Sequence, residues 1–278
     1  MLNNKIYFQG WKEDKIYSMK SKRIQEIEEY VLNNNNVSLD KLTEIFNVSK
    51  NTIRRDIHEL AKKGTIKKVY GGVSANSNLL VPFNEREITN RTTKTLIAET
   101  ASEFINDGDI IFIDSGTTTV NMADFLKDKL NITIITNNLN FITNSIRYEN
   151  LNIISTGGAL VRKTNSFVGI DTLNMLKTYN INKAFMSATG VSLTNGITNS
   201  SPLECEIKKA VVNKSNEIYL MADSSKFNTS SLMTYCELKD INYLITDKIP
   251  PKDYEFFLKD HNINLVIVKH SVQLDIRG

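Results

Sequence analysis

Cysteine is scarce in this chain of 278 residues: Cys205 and Cys236 stand alone, with no C-x-x-C spacing and no histidine-rich neighbourhood. A disulfide framework and a structural zinc site are thereby excluded by motif, and two buried free thiols in a reducing cytoplasm are expected. Long apolar runs are also missing. The longest, such as residues 110–113 and 265–268, fall far below the ~20 residues of a membrane-spanning helix, so no membrane partner is expected. The three histidines, His58, His261 and His270, show no ligand spacing, and no P-loop, G-x-G-x-x-G or metal motif occurs. No catalytic residue, metal site or cofactor is therefore read from the sequence. Charge of one sign is lacking as well: 34 Lys and Arg face 31 Asp and Glu, a net +3. That total argues against a nucleic-acid binder unless it hides an asymmetry between segments.

What is present is ordinary globular material, with 41% hydrophobic and 23% charged residues and a mean hydropathy of −0.26. Residues 1–18 lack the apolar stretch of a signal peptide, and Tyr7-Phe8-Gln9-Gly10 resembles a protease-cleavage scar, so they read as a leader before Met19. From Lys20, Ile24, Ile27, Val31 and Leu32 recur at helical spacing. Ser38 is an N-cap for a second helix, and Ser49 for a third that Gly64 stops. Ile53, Ile57 and Leu60 form the buried stripe of that third helix, which leaves Lys50, Asn51, Thr52, Arg54, Arg55 and His58 outward or flanking. Residues 65–68 and 70–74, around Gly71-Gly72, read as a hairpin. An isolated basic helix is usually a solvated surface. Three helices, a tight turn and a basic hairpin in this order instead read as a winged helix-turn-helix over residues 19–75. Ser49, Lys50, Asn51, Thr52, Arg54 and Arg55 would read a double-stranded DNA operator, and Lys67, Lys68 and Tyr70 would hold its backbone.

Residues 76–92 show no clear period and read as a linker. From residue 93, to about 270, short β-branched runs alternate with helical segments. Strands are expected at 110–113, 132–135, 152–155, 184–187, 218–222, 243–246 and 265–268. Helices are expected near 120–130, 139–148, 171–179, 202–213 and 251–261. This alternation predicts an α/β domain with a mostly parallel sheet covered on both faces.

Such sheets bind ligands at the carboxyl ends of their strands. There the chain places Asp114-Ser115-Gly116-Thr117-Thr118-Thr119, Thr136-Asn137, Gly157-Gly158 and Asp223-Ser224-Ser225-Lys226. Each stretch alone is more often a plain turn. Their joint position predicts a pocket for a small polar ligand: hydroxyls and a helix N-terminus for an anion, Asp114 and Asp223 for sugar hydroxyls, Lys226 for a phosphate. Glu204 and Glu206 open the helix at 202, where they complement its dipole or, for Glu206, reach the ligand.

The run Val48-Ser49-Lys50-Asn51-Thr52-Ile53-Arg54-Arg55-Asp56-Ile57, followed by Lys62-Lys63-Gly64 and Tyr70-Gly71-Gly72, resembles the reading head of the DeoR family of bacterial sugar-metabolism repressors. The strand-end motifs, with Val168-Gly169, Gly190 and Ala222-Asp223-Ser224-Ser225-Lys226-Phe227, resemble that family's sensor. One departure is Tyr70, where the family's wing commonly has histidine. The resemblance spans residues 19–270. It implies a sensor similar in fold to ribose-5-phosphate isomerase and coenzyme A transferases, a phosphorylated sugar effector, and a homo-oligomer. It also transfers the reading role to Ser49, Lys50, Thr52, Arg54 and Arg55. The alternative is a sugar-phosphate isomerase-like enzyme with an accessory DNA-binding domain, using Asp114, Glu206, Asp223 and Lys226 as acid–base groups. The charge supports the regulator: residues 19–75 hold eleven Lys and Arg against seven Asp and Glu, whereas residues 76–278 hold twenty against twenty-two. The positive excess sits where a phosphate backbone would need it.

Overall fold

The computed structural model describes residues 20–31, 34, 36–75 and 80–268, and the chain divides into two compact units between residues 79 and 80. The expected leader, Leu32 of the first apolar stripe, most of the Ala75–Asn78 stretch and the last two residues of the expected sensor lie outside the described residues.

In the first unit local signals set the helix ends. Ser38 accepts a hydrogen bond from the Lys41 backbone at 3.1 Å and starts helix α2 (Leu39–Phe46), after a helix over residues 20–31 (α1). Asn47 closes α2 in the left-handed conformation. Ser49 caps helix α3 (Lys50–Lys63) by accepting from the Thr52 backbone at 3.2 Å, and Gly64, at φ +88°, ends it. Strands β1 (Asn36–Ser38), β2 (Ile66–Val69) and β3 (Gly72–Ala75) form an antiparallel sheet in the order β1-β3-β2. Strand β1 is too short for a sequence signal. It forms because β3 offers a free edge and Val37 joins the core of Ile27, Val31, Leu42, Ile53, Ile57, Leu60, Ile66 and Val73. Gly72 is required at that crossing: a Cβ there would stand 2.3 Å from the Val37 carbonyl oxygen.

The second unit follows the predicted alternation. Among its described residues, seven strands pair in parallel: β4 (Ile110–Ile113), β5 (Thr133–Thr136), β6 (Asn152–Ser155), β9 (Ile181–Ser187), β12 (Ser215–Met221), β14 (Tyr243–Thr246) and β15 (Asn264–Ile267). Their order is β15-β14-β12-β9-β4-β5-β6. Successive side chains point to opposite faces. Phe112 of β4 enters one core with Leu176, Ile207, Val211 and Tyr254. Its neighbours Ile111 and Ile113 enter the other, with Phe83, Ile97, Ala101 and Met122. Helices α7 (Ile170–Leu176), α8 (Pro202–Val212) and α9 (Lys252–Asp260) supply the first layer, and α4 (Phe83–Ile88) and α5 (Arg91–Ser102) the second; α6 (Leu139–Ser145) follows β5. Two small antiparallel sheets are additions that strands of three or four residues gave no period to reveal: the hairpin β7 (Ala159–Val161) and β8 (Ser166–Val168), and the sheet of β10 (Gly190–Ser192), β11 (Gly196–Asn199) and β13 (Met233–Cys236).

Two expectations need correction. The linker expected over 76–92 is shorter, because the second unit begins at Leu80 and α4 lies within the expected linker. Phe83 is 1% exposed and its backbone N–H donates to Lys163 O at 2.8 Å, so this segment is core. The α-helix expected near 120–130 is a seven-residue 3₁₀ segment, Thr119–Phe125. There the Asn121 side-chain amide donates to Thr117 O at 3.0 Å, the carbonyl an α-helix would offer to the Asn121 N–H, which bonds Thr118 O instead at 3.4 Å. Replacing Phe83 with Ala should destabilise the second unit by about 3–5 kcal/mol, the usual cost of emptying a buried aromatic site. Chemical denaturation would measure it; a loss below about 0.5 kcal/mol, typical of an exposed position, would contradict the core assignment.

Candidate functional site

The reading head presents its chemistry on α3. With Ile53, Ile57 and Leu60 buried, the opposite face exposes Asn51, Arg54, Arg55 and His58. Ser49 and Thr52 are less available than the sequence suggests, because their hydroxyls bond each other at 2.9 Å while Ser49 caps the helix. Lys50 pairs with Asp40 of α2 at 2.6 Å, and Lys68 lies 3.1 Å from His58 Nδ1. Lys67 is exposed, and Tyr70 is fully exposed at the tip of the wing. Asp56 is not a reader: it is buried and accepts two hydrogen bonds from Arg23 of α1, at 2.8 and 3.4 Å. That bond, with a smaller Coulomb contribution, outweighs partial burial and raises the Arg23 pKa.

In the second unit the strand ends build a densely bonded floor. Asp114, following β4, is 1% exposed. Its Oδ2 accepts from the Ser187 backbone at 3.1 Å, from the Ser187 hydroxyl at 2.5 Å and from Lys208 of α8. Gly116 must be glycine, since a Cβ would stand 2.1 Å from Ser187 Oγ. Ser115 donates to Glu204 at 2.8 Å, and Asn199 donates to the other Glu204 oxygen at 3.3 Å. Glu204 is thus part of this wall, while Glu206 faces outward and pairs with Lys209 at 3.2 Å. Thr117 and Thr118 are buried in the loop before the 3₁₀ segment. Thr136 and Asn137 serve the scaffold: the Thr136 hydroxyl donates to Ile113 O at 2.6 Å, and Asn137 exchanges hydrogen bonds with Phe167. At φ +61° and +102°, Gly157 and Gly158 make the turn after β6, where the Thr172 hydroxyl donates to Gly157 O at 2.6 Å.

Charge gathers around Asp114 and Asp223. Asp223 is 2% exposed, and its Oδ1 accepts from the Ser225 backbone at 3.0 Å, the Ser225 hydroxyl and Asn90 at 3.3 Å. Burial alone would raise its pKa, but Lys226, Ser225 and Lys94 outweigh it and hold the carboxyl below its ordinary value. Lys94 of α5 is 4% exposed and donates to Arg86 O. Burial, then the nearby Lys226, push it down to about 7, against the pull of Asp223. Arg86 of α4 is lowered by burial and countered by Glu204 and Asp114. These interactions bring Arg86, Lys94, Asp114, Glu204, Asp223 and Lys226 into one electrostatic neighbourhood. Within this set, Arg86 Nη2, Asp114 Oδ1 and Asp223 Oδ2 are buried with no hydrogen-bond partner among the described residues. One unsatisfied donor and two unsatisfied acceptors suit a ligand carrying both an anion and hydroxyls.

Arg86, Lys94 and Lys208 escaped the sequence reading, although two of them carried a signal. Lys94 precedes Ile97, Ala98 and Ala101 at i+3, i+4 and i+7, and Lys208 follows Glu204 by four on a stripe with Ile207 and Val211. Charged residues inside a buried stripe mark a polar site. Arg86 was hidden by the reading of its segment as linker.

The family models match each unit: a DeoR-like helix-turn-helix domain over residues 23–78 and a DeoR C-terminal sensor domain over residues 89–248. The chain belongs to the DeoR family. Among its DeoR relatives, the HTH-type transcriptional regulator IolR of Bacillus subtilis is 50% identical over 248 residues, 89% of this chain and 99% of the relative. The glycerol-3-phosphate regulon repressor of Escherichia coli is 30% identical over 88% of this chain and 98% of its own length. Among solved structures, the sorbitol operon regulator SorC of Klebsiella pneumoniae matches with a TM-score of 0.36 and 10% identity, over 84% of this chain and 97% of the other. A D-ribose-5-phosphate isomerase in complex with phospho-erythronic acid matches with a TM-score of 0.37 and 16% identity, over 49% and 54%.

The depressed pKa of Lys94 makes the DeoR sensor's stability depend on pH in a defined direction. Below about 7 the folded state holds a charged, buried Lys94; between there and the ordinary lysine value of 10.5 the unfolded chain binds the extra proton. Stability therefore rises with pH across that window. Relative to Lys94→Met, the wild-type chain should gain roughly 2 kcal/mol between about pH 7 and about pH 9. Parallel denaturation curves would read this difference, and a flat one would place the Lys94 titration elsewhere.

Proposed function

We propose that this protein is a DNA-binding transcriptional repressor of sugar-metabolism genes, released from its operator when a phosphorylated sugar occupies the sensor. The observation that carries the effector reading is the set of buried Lys94 and half-buried Arg86 and Lys226 around two buried aspartates with unpartnered oxygens. Three cations suit a phosphate dianion, and Asp114 Oδ1 and Asp223 Oδ2 suit sugar hydroxyls. The short 3₁₀ segment after Thr118 offers little dipole, so side chains rather than a helix end would supply the positive charge. The loop from Ser115 to Thr119 would close over the ligand, with Thr136, Asn137, Gly157 and Gly158 shaping the adjoining strand ends. Names of relatives support the same class: one is a glycerol-3-phosphate regulon repressor, another, from Staphylococcus epidermidis, a lactose phosphotransferase system repressor. Being regulators, they favour a non-enzymatic role.

On the DNA side, Asn51, Arg54 and Arg55 would reach base edges, while Lys50, Lys67, Lys68 and Tyr70 hold the backbone, with Ser49 and Thr52 fixing the start of the helix. Lys50 would exchange Asp40 for a phosphate. The family resemblance adds a homo-oligomer acting in the cytoplasm; among the described residues no helix is long and apolar enough to cross a membrane. Release requires that the effector bind the DNA-incompetent arrangement more tightly, since equal affinity for both states shifts nothing.

A mobility-shift assay on upstream DNA, titrated with phosphorylated sugars and polyols, tests this reading. Arg86→Ala and Lys226→Ala should keep operator affinity and weaken effector release roughly ten- to hundredfold, as losing a charge-assisted hydrogen bond worth ~1.5–3 kcal/mol predicts. Operator binding that no phosphorylated sugar alters would refute the induction mechanism.

A further inference from the structure

We propose that His58 is a DNA-contacting residue of the reading head, held by Lys68 of the wing in the tautomer that offers Nε2–H to a hydrogen-bond acceptor on DNA. The proposal rests on the reading of this unit as a DNA binder and adds a residue to it. On α3, His58 follows Arg54 by four residues and precedes Lys62 by four, so the three share one face, opposite buried Ile53, Ile57 and Leu60. A groove along that face is lined by Arg23, Arg54, Arg55, His58, Lys62 and Lys68. The imidazole is exposed.

Lys68 Nζ lies 3.1 Å from His58 Nδ1. An ammonium group has donors and no acceptor, so Nδ1 must accept, and the proton of the neutral ring must sit on Nε2. The ring is thereby fixed both in tautomer and in orientation. The acids around it are engaged: Glu59 pairs with Lys20, and Asp56 with Arg23. Arg54, Arg55, Lys62 and Lys68 leave this surface positive, which suits a guanine N7 or O6 in the major groove or a phosphate oxygen. Both sources share one chemistry, a hydrogen-bond acceptor. The wing residue would thus act in two ways, by its own charge and by setting what His58 displays.

The test uses the full-length protein and a pool of double-stranded DNA of randomised sequence, from which bound molecules are recovered and sequenced. His58→Ala, folded by circular dichroism, should lose roughly threefold to tenfold in affinity, the worth of one neutral hydrogen bond. Loss confined to one base position would identify a base edge as the acceptor, whereas equal loss on all sequences would identify a phosphate. His58→Gln, which keeps a side-chain N–H donor, should recover part of the loss. Lys68→Met should cost more in the wild-type background than in His58→Ala, because its effect through the ring is gone there. Unchanged affinity and base preference in His58→Ala, alongside loss in an Arg54→Ala control, would overturn the role of His58 and leave the DNA-binding reading intact. No selected sequence for the wild-type protein would overturn both.

Discussion

A buried ion pair ties the sensor together. Asp114 and Lys208, each almost wholly excluded from solvent, join the end of β4 to α8, and both bond Ser187 at the end of β9. Tyr235 adds its hydroxyl to Ser187 O at 2.9 Å, and the Lys208 ammonium lies 5.1 Å from the centre of its ring. Removing two charges from water costs several kcal/mol per ion, and only such a complete bonding set offsets that. Once Asp114 is held through Oδ2, its Oδ1 remains oriented and unpaired at the mouth of the central strands. The loop that follows is then shaped by close packing of Gly116 on Ser187 and by the Ser115–Glu204 bond. The proposed effector site is therefore a by-product of how β4, β9 and α8 are locked.

The reading head uses the same device at smaller scale. Asp56, buried midway along α3, holds Arg23 of α1 through two hydrogen bonds. This orients the recognition helix while the adjacent Arg54 and Arg55 remain exposed. Three consecutive charged residues thus divide into two that face outward and one that anchors.

The fold was largely legible in the amino-acid order. Strands at 110–113, 152–155 and 243–246 lie where their β-branched runs placed them, and Ile53, Ile57 and Leu60 form the buried stripe of α3 as their spacing required. Failures came where contacts distant in sequence decide. Phe83 becomes core only because Lys163 and the sheet face meet it; the segment after Thr118 is 3₁₀ where the Asn121 side chain takes the Thr117 carbonyl. For the proposed effector site, the aspartates and Lys226 could be named from strand ends. Arg86 could not, and Lys94 and Lys208 were marked only as charges within buried helical stripes, because helices on both sides of the sheet deliver them.

By itself the sequence determined the two-part organisation, the winged reading head, the parallel sheet and the family, since periodicity, caps and short motifs are local properties. Tertiary structure alone decided which charges are paired and which are left open. Lys208 neutralises Asp114, Glu204 holds Ser115, and Lys68 lies against His58 Nδ1. Each depends on the distance and burial of groups from separate elements. Those determine both the strength of an ionic contact and the cost of leaving it unmade, and neither can be read along one chain.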